Sequence, residues 1–96
     1  MGIDDILRIK RTAILKIADR HGATNIRVFG SVAAGTARLD SDVDLLVDAG
    51  PKRTPFFPGG FISDLEELLG RKVDVVTEKS LHWYIRDRVL KEAVPL

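Results

Sequence analysis

The sequence predicts an α/β (α+β) domain, a small mixed β-sheet with helices packed on it. Three observations predict it. The first 21 residues carry apolar side chains at helical spacing. Three short apolar runs, residues 26–29, 42–48 and 72–77, have the length and β-branched content of strands. The segments between them are short helical patterns or a Gly/Pro-rich loop, so helix and strand alternate along the chain. At 96 residues the chain reads as one domain, 1–96, that buries roughly 60–65% of its unfolded surface around a single core.

Residues 3–21 read as one amphipathic helix. Ile3, Ile6, Leu7, Ala13, Ile14, Ile17 and Ala18 form its stripe, and Lys10 is the one charged residue in register. Asp4 and Asp5 in the first turn and Arg20-His21 in the last suit the helix dipole, and Gly22 is the stop signal. Ile9 and Leu15 lie off the stripe. A short strand over 26–29 ends at Gly30, and a short helix from Ser31 runs to Gly35. The second strand spans Asp42 to Asp48. Residues 49–60, AGPKRTPFFPGG, read as a loop that carries Phe56 and Phe57. A helix follows over 63–69, starting as early as Phe61 and closed by Gly70, and then a third strand over 72–77. Ser80 is the expected N-cap of a last helix from Leu81 to about Ala93, with Pro95 beyond its end.

Composition narrows the function classes. Fifteen basic against 14 acidic residues give a net charge of +1, which offers no basic face for nonspecific nucleic-acid binding. With no cysteine, neither a disulfide framework nor a thiolate metal site is possible. No 18-residue apolar run exists and residues 1–22 carry charges throughout, so neither a membrane span nor a signal peptide is read. The expectation is a cytoplasmic protein.

The chemistry concentrates in residues 30–48, GSVAAGTARLDSDVDLLVD. Along a strand, side chains alternate, so Asp42, Asp44 and Leu46 face one way and Val43, Leu45 and Val47 the other. The apolar set is expected to face the helices. The two carboxylates then share the opposite face, about 7 Å apart at Cα, and repel unless a cation sits between them. Magnesium is a hard cation that takes one or two carboxylates plus substrate phosphates. The pair could hold one ion, or bridge two ions ~3.5–4 Å apart. Asp74, alone in the apolar run Val73-Asp74-Val75, is a third candidate if its strand neighbours the first. Asp40 and Asp48 read instead as turn and solvated-face residues. Gly30-Ser31, upstream of the pair between strand and helix, suits a phosphate cradle: backbone N–H groups bind anions there and glycine permits close approach.

Together, Gly30-Ser31, the spacer with Gly35, Ser41-Asp42-Val43-Asp44 and the apolar strand resemble the signature of the nucleotidyltransferase superfamily that includes DNA polymerase beta. The short chain and compact motif block look most like the minimal nucleotidyltransferases, over nearly the whole length. The resemblance implies a polymerase beta palm-like fold. It implies that Gly30 and Ser31 contact the triphosphate, that Asp42 and Asp44 are metal ligands, and that Asp74 is the third catalytic and metal-binding carboxylate. It further implies Mg²⁺ as cofactor and ATP as substrate, with AMP transferred to a hydroxyl and pyrophosphate released. Many minimal members are antitoxins that bind a HEPN-domain ribonuclease toxin and adenylylate one of its tyrosines. One position departs from the common form: Ala34 stands where many relatives carry arginine, which removes a cationic contact; Arg27 or Arg38 could compensate.

Three rival readings stand beside this one. The chain could be an antitoxin that acts by occlusion alone, with Phe56, Phe57, Trp83 and Tyr84 as interface anchors, although at least two of these aromatics are expected to pack on the domain's own core. It could modify a small molecule such as an aminoglycoside, but 96 residues leave nothing to build a separate acceptor pocket. It could be a toxin acting on tRNA, which the near-neutral charge disfavours. His21 reads as a dipole partner or surface residue and His82 as a packing or surface residue, not as metal ligands. No arginine is followed four to six residues later by histidine, the spacing of the HEPN nuclease motif, so the chain reads as the transferase half of such a pair.

Overall fold

The computed structural model describes residues 3–38, 41–52 and 54–96, with only the backbone of Ile3 and Asp4. In chain order the elements are α1 (Ile3–Ile9), α2 (Arg11–His21), β1 (Ala23–Phe29), α3 (Gly30–Ala34), β2 (Val43–Ala49), α4 (Gly59–Leu69), β3 (Val73–Thr77), a 3₁₀ turn (Glu78–Ser80), α5 (Trp83–Glu92) and β4 (Val94–Pro95). The strands form one mixed sheet in the order β3-β2-β1-β4. β2 runs parallel to β3 and antiparallel to β1.

The core lies between one face of this sheet and helices α1, α2 and α4. Leu7, Ile14, Ala18, Phe61, Leu65 and Leu69 pack against Val28, Val43, Leu45, Val47, Val73 and Val75. The predicted alternation along β2 holds, since Val43, Leu45 and Val47 are all buried in this cluster. Leu46, on the other face, is also fully buried but outside it. Central β2 is therefore covered on both sides at its middle and partly open toward its two ends.

The first helix is not continuous. Lys10 leaves helical geometry (φ −94°, ψ 9°), although hydrogen bonds from Lys10 N–H to Ile6 and from Ile14 N–H to Lys10 carry the chain across the break. The Lys10 ammonium donates to the Leu68 carbonyl at 3.0 Å, satisfying a carbonyl in the last turn of α4. That is why a charged residue sits in the apolar register. Gly22, Gly35 and Gly70 end their helices in left-handed geometry where the sequence places the stops.

Several boundaries differ from expectation. β1 begins three residues early, at Ala23, and accommodates a bulge with Asn25 at φ 50°. α4 begins at Gly59, two residues before Phe61, which is fully buried within its first turn. Ser80 does not cap α5. It closes a separate 3₁₀ turn in a reciprocal pair of hydrogen bonds with Thr77, while His82 caps α5 by accepting the Tyr84 N–H at 3.1 Å on its ring nitrogen. Val94–Pro95 forms an unforeseen edge strand beside β1. Pro95 is tolerated there because an edge strand has an N–H side that needs no ladder partner. Asp40 and the side chains of Ile3 and Asp4 lie outside the described residues. Among the described residues, no helix is long and apolar enough to cross a membrane.

Candidate active site

The parallel register between β2 and β3 sets Asp44 directly beside Asp74. Adjacent strands lie about 4.8 Å apart, so these two carboxylates start from neighbouring backbone positions on one face. On the other side of β2, Phe29 pairs with Asp44. Asp42 stands just before β2, exposed, at the exit of a turn in which the Arg38 N–H donates to Ser41 Oγ at 2.7 Å and the Ser41 N–H returns to Arg38 O at 3.0 Å. The sequence thus brings three candidate carboxylates to the start of two parallel strands.

Gly30 and Ser31 open α3, directly after β1. Gly30 adopts φ +72°, a left-handed conformation that side chains disfavour. A Cβ on Gly30 would collide with Asp44 Oδ2 and come within 3.2 Å of its Cγ. The glycine is needed because the Asp44 carboxylate rests against its α-carbon, a constraint additional to the close phosphate approach expected from sequence.

Burial pushes the Asp44 carboxyl above its ordinary pKa, and the negative charges of Asp74 and then Asp42 add to the shift. Among the described residues, none of the ion pairs reaches Asp42, Asp44 or Asp74. The three acids form an unbalanced row, and such a row has the chemistry to accept a cation. Among the described residues no three His, Asp or Glu side chains close into a preformed cage. Magnesium does not require one, since it retains waters and takes phosphate oxygens beside one or two carboxylates. The donor set therefore fits a hard divalent ion shared with a nucleotide.

Neither arginine suggested as a substitute for a cation at position 34 is positioned alike. Arg27 shares the acidic face but is committed: its side chain is 13% exposed, with Nη2 at 3.0 Å from Asp48 and Nη1 at 3.2 Å from Glu78. Its Nε donates to the Asn25 carbonyl at 3.1 Å. It is a clamp between β1, β2 and the turn after β3. Asp48, set aside as a bystander, is one arm of that clamp. Arg38 is exposed at the turn leading to Asp42.

The larger cavity, about 760 Å³, does not contain the acids. Asp48, Ala49, Phe57, Thr77 and Glu78 line it, at the far ends of β2 and β3. Four residues of strand, about 13 Å, separate Asp44 from Asp48. In the acidic row Asp42 and Asp74 are exposed and Asp44 is partly buried.

Two side-chain expectations need correction. His21 is not a surface residue: its Nε2 is 2.7 Å from Asp64 Oδ2, its Nδ1 3.3 Å from Thr54 Oγ1, and its ring 6.0 Å from that of Phe61. It ties the end of α2 to α4 and to the loop between β2 and α4. Of the four aromatics, only Phe57 packs inward, stacked on Phe61; Phe56, Trp83 and Tyr84 are exposed. No local pattern signals either fact, since both depend on which segments meet in space.

A row of carboxylates at the start of two parallel strands, beside a glycine-serine helix start, suits nucleotidyl transfer. The chain belongs to the nucleotidyltransferase domain family, whose sequence profile matches residues 10–96. It is 39% identical over 90 residues to MJ0435 of Methanocaldococcus jannaschii, provisionally named a protein adenylyltransferase, covering 94% of this chain and 96% of that one. Identity to the protein adenylyltransferase MntA of Thermococcus cleftensis is 42% over 81 residues, covering 82% and 80%. A solved structure described as a minimal nucleotidyltransferase superposes with a TM-score of 0.84 at 48% identity, covering 100% of this chain and 97% of that one. A toxin–antitoxin complex with AMP-PNP contains a chain of the same fold, with a TM-score of 0.72 at 23% identity, covering 88% and 69%.

Proposed function

We propose that this chain, as one domain over residues 1–96, transfers AMP from Mg·ATP to a tyrosine hydroxyl of a HEPN ribonuclease toxin and acts as its cytoplasmic antitoxin. The observation that carries the reading is the in-register pair Asp44–Asp74 beside Gly30, with Asp42 upstream and, among the described residues, no ion pair from a protein cation to the row. The protein-acceptor part is supported by relatives named protein adenylyltransferases at 39% and 42% identity. The toxin part is supported by a toxin–antitoxin complex of the same fold.

In this reading Gly30 and Ser31 hold the phosphates at the start of α3. Asp42, Asp44 and Asp74 would hold the divalent ions, which when bound offset phosphate charge and lower the pKa of the acceptor hydroxyl. The acceptor oxygen forms a bond to the α-phosphorus, the α–β phosphoanhydride breaks, pyrophosphate leaves, and the hydroxyl proton passes to solvent. No covalent intermediate with this chain is needed. Its contribution is position and electrostatics.

The test is transfer of label from α-labelled ATP. Asp42→Asn with Asp44→Asn should abolish it, and undiminished transfer would refute the assignment. Ala34, exposed at the end of α3 without the arginine of many relatives, favours a second reading in which neutralisation is by binding alone. A stable toxin complex formed without AMP transfer would select that reading.

A further inference from the structure

Asp44 and Asp74 are in register but unequally supported. Asp44 lies on a central strand, with Gly30 against its carboxylate. Asp74 lies on β3, at the edge of the sheet, with β2 on one side and, among the described residues, no strand on the other. It is exposed and stands one residue from the start of its strand. Exposed segment ends open more readily than centres. Something must therefore hold the start of β3 if Asp74 is to stay level with Asp44.

Two hydrogen bonds do so. The Val43 N–H donates to the Lys72 carbonyl at 3.0 Å and joins the two strands from the inner side. The peptide unit between Lys72 and Val73 is planar and trans, so that carbonyl and the Val73 N–H point opposite ways. The Val73 N–H therefore faces the open edge, and there it donates to Glu66 Oε2 at 3.0 Å. Val73 is buried, so this N–H takes a protein partner in place of water. Glu66 is itself fixed. It lies in the last turn of α4, between buried Leu65 and Leu69 in the chain, and its carbonyl accepts the Gly70 N–H at 2.8 Å. One residue thus closes the helix with its backbone and starts the strand with its side chain. Helix stability does not select an acid at this place, since a carboxylate near a helix C-terminus opposes the dipole.

We propose that Glu66 is a positioning residue for Asp74: by accepting the Val73 N–H at the open edge of β3, it holds the strand start so that Asp74 meets a divalent ion together with Asp44. The inference rests on the reading of Asp42, Asp44 and Asp74 as ligands of such ions. Metal ligands depend on the groups that hold them, and losing such a partner costs about 10–100-fold in metal affinity or activity. What matters at Glu66 is reach. Glutamine presents an acceptor oxygen at the same distance from the backbone without the charge, whereas aspartate keeps the charge and is one methylene shorter. Glu67, next in α4, carries the same charge in the same turn and is exposed.

The test is a magnesium titration of the ¹⁵N-labelled chain at fixed ATP, followed at the Asp74 amide resonance, with hydrogen exchange measured on the same samples. No acceptor is needed. Glu66→Ala and Glu66→Asp should raise the half-saturating magnesium concentration about tenfold. Exchange at the Asp74 amide should quicken in both, while exchange at Leu45 in β2 keeps its wild-type rate. Glu66→Gln and Glu67→Ala should match the wild type in every readout. A general loss of stability would not sort the variants by reach, and the Asp and Gln variants decide the matter even if Glu66→Ala does not fold. Wild-type half-saturation in Glu66→Asp overturns the positioning role and leaves the metal assignment standing. A shifted Glu66→Gln beside an unshifted Glu66→Asp overturns it in favour of a charge effect. A wild-type Asp74 resonance that does not respond to magnesium removes Asp74 from the ligands, and the positioning role falls with it.

Discussion

Gly30 and Gly35 bracket α3 and provide an internally controlled test of the site. Both adopt left-handed φ, +72° and +74°. A Cβ at Gly35 would meet nothing within 4 Å, while one at Gly30 would strike the Asp44 carboxylate. Alanine at either position therefore incurs the same backbone penalty, about 1–2 kcal/mol. For a domain of this length, that lowers the melting temperature by about 4–8 °C per kcal/mol. Only Gly30→Ala also displaces Asp44 from its place beside Asp74. A misplacement of about 1 Å at reacting groups can reduce a rate about 100-fold, so Gly30→Ala should lose AMP transfer by that order while Gly35→Ala retains most of it. Thermal melts supply a second readout that needs no acceptor. Combining Gly30→Ala with Asp44→Ala should cost less stability than the two single changes together, because the collision is gone. Equal transfer by the two glycine variants, together with strict additivity in the melts, would refute the argument that Gly30 exists to admit Asp44.

The acidic row makes a prediction about stability. Burial first, and then Asp74 and Asp42, raise the Asp44 pKa, so the folded protein holds that proton more tightly than the unfolded chain. The stability from this group is fully present below the unfolded carboxylate pKa, about 3.9, and is lost as pH rises through the higher folded value. In EDTA at pH 7, Asp44→Asn should therefore melt above the wild type, by an amount on the order of a like-charged cross-strand pair, ~0.2–1 kcal/mol. The difference should close at acid pH and narrow on adding Mg²⁺, and a wild type that melts higher at pH 7 in EDTA refutes it. His21→Ala removes the 2.7 Å contact to Asp64 and should cost roughly 1–2 kcal/mol. Hydrogen exchange at the Thr54 amide, which bonds the His21 carbonyl, should rise with it; unchanged protection would show that the loop is held elsewhere. Arg27→Ala should lower the melting temperature without changing half-saturation by ATP, since the guanidinium is spent on Asp48 and Glu78. A tenfold rise in that half-saturation would make Arg27 a phosphate ligand instead.

What was legible in the sequence was local or periodic. Strand alternation assigned Val43, Leu45 and Val47 to the core and Asp44 to the opposite face, because period-two geometry leaves no other choice. Glycine stops after α2, α3 and α4 were legible because left-handed termini strongly select glycine. The Asp44–Asp74 pairing was conditional on strand adjacency, which a sequence does not state. What stayed illegible depended on distant partners. Lys10 looked like a flaw in an apolar stripe until Leu68 came within 3.0 Å of its ammonium, and His21 looked like a helix end until Asp64 and Thr54 closed on it. At least two of the four aromatics were expected in the core, yet only Phe57 packs there, because which of them meets the core depends on segments distant in sequence.

The same arrangement explains how a short chain can hold carboxylates in fixed positions. β2 is the central strand, and its core-facing side chains are locked between sheet and helices. Locked neighbours fix the backbone of Asp44, and Gly30 fixes its carboxylate from the side. Rigid placement is what catalytic carboxylates require. Asp42 and Asp74 are exposed, Asp44 is partly buried, and the cavity of about 760 Å³ lies toward the other end of the strands. In the proposed reading, exclusion of water and orientation of the acceptor hydroxyl fall to the molecule that carries it. A macromolecular acceptor can supply both, whereas a small one would leave the row open to solvent. In that reading the uncompensated charge of the acidic row would be offset by a divalent ion and the nucleotide phosphates it carries.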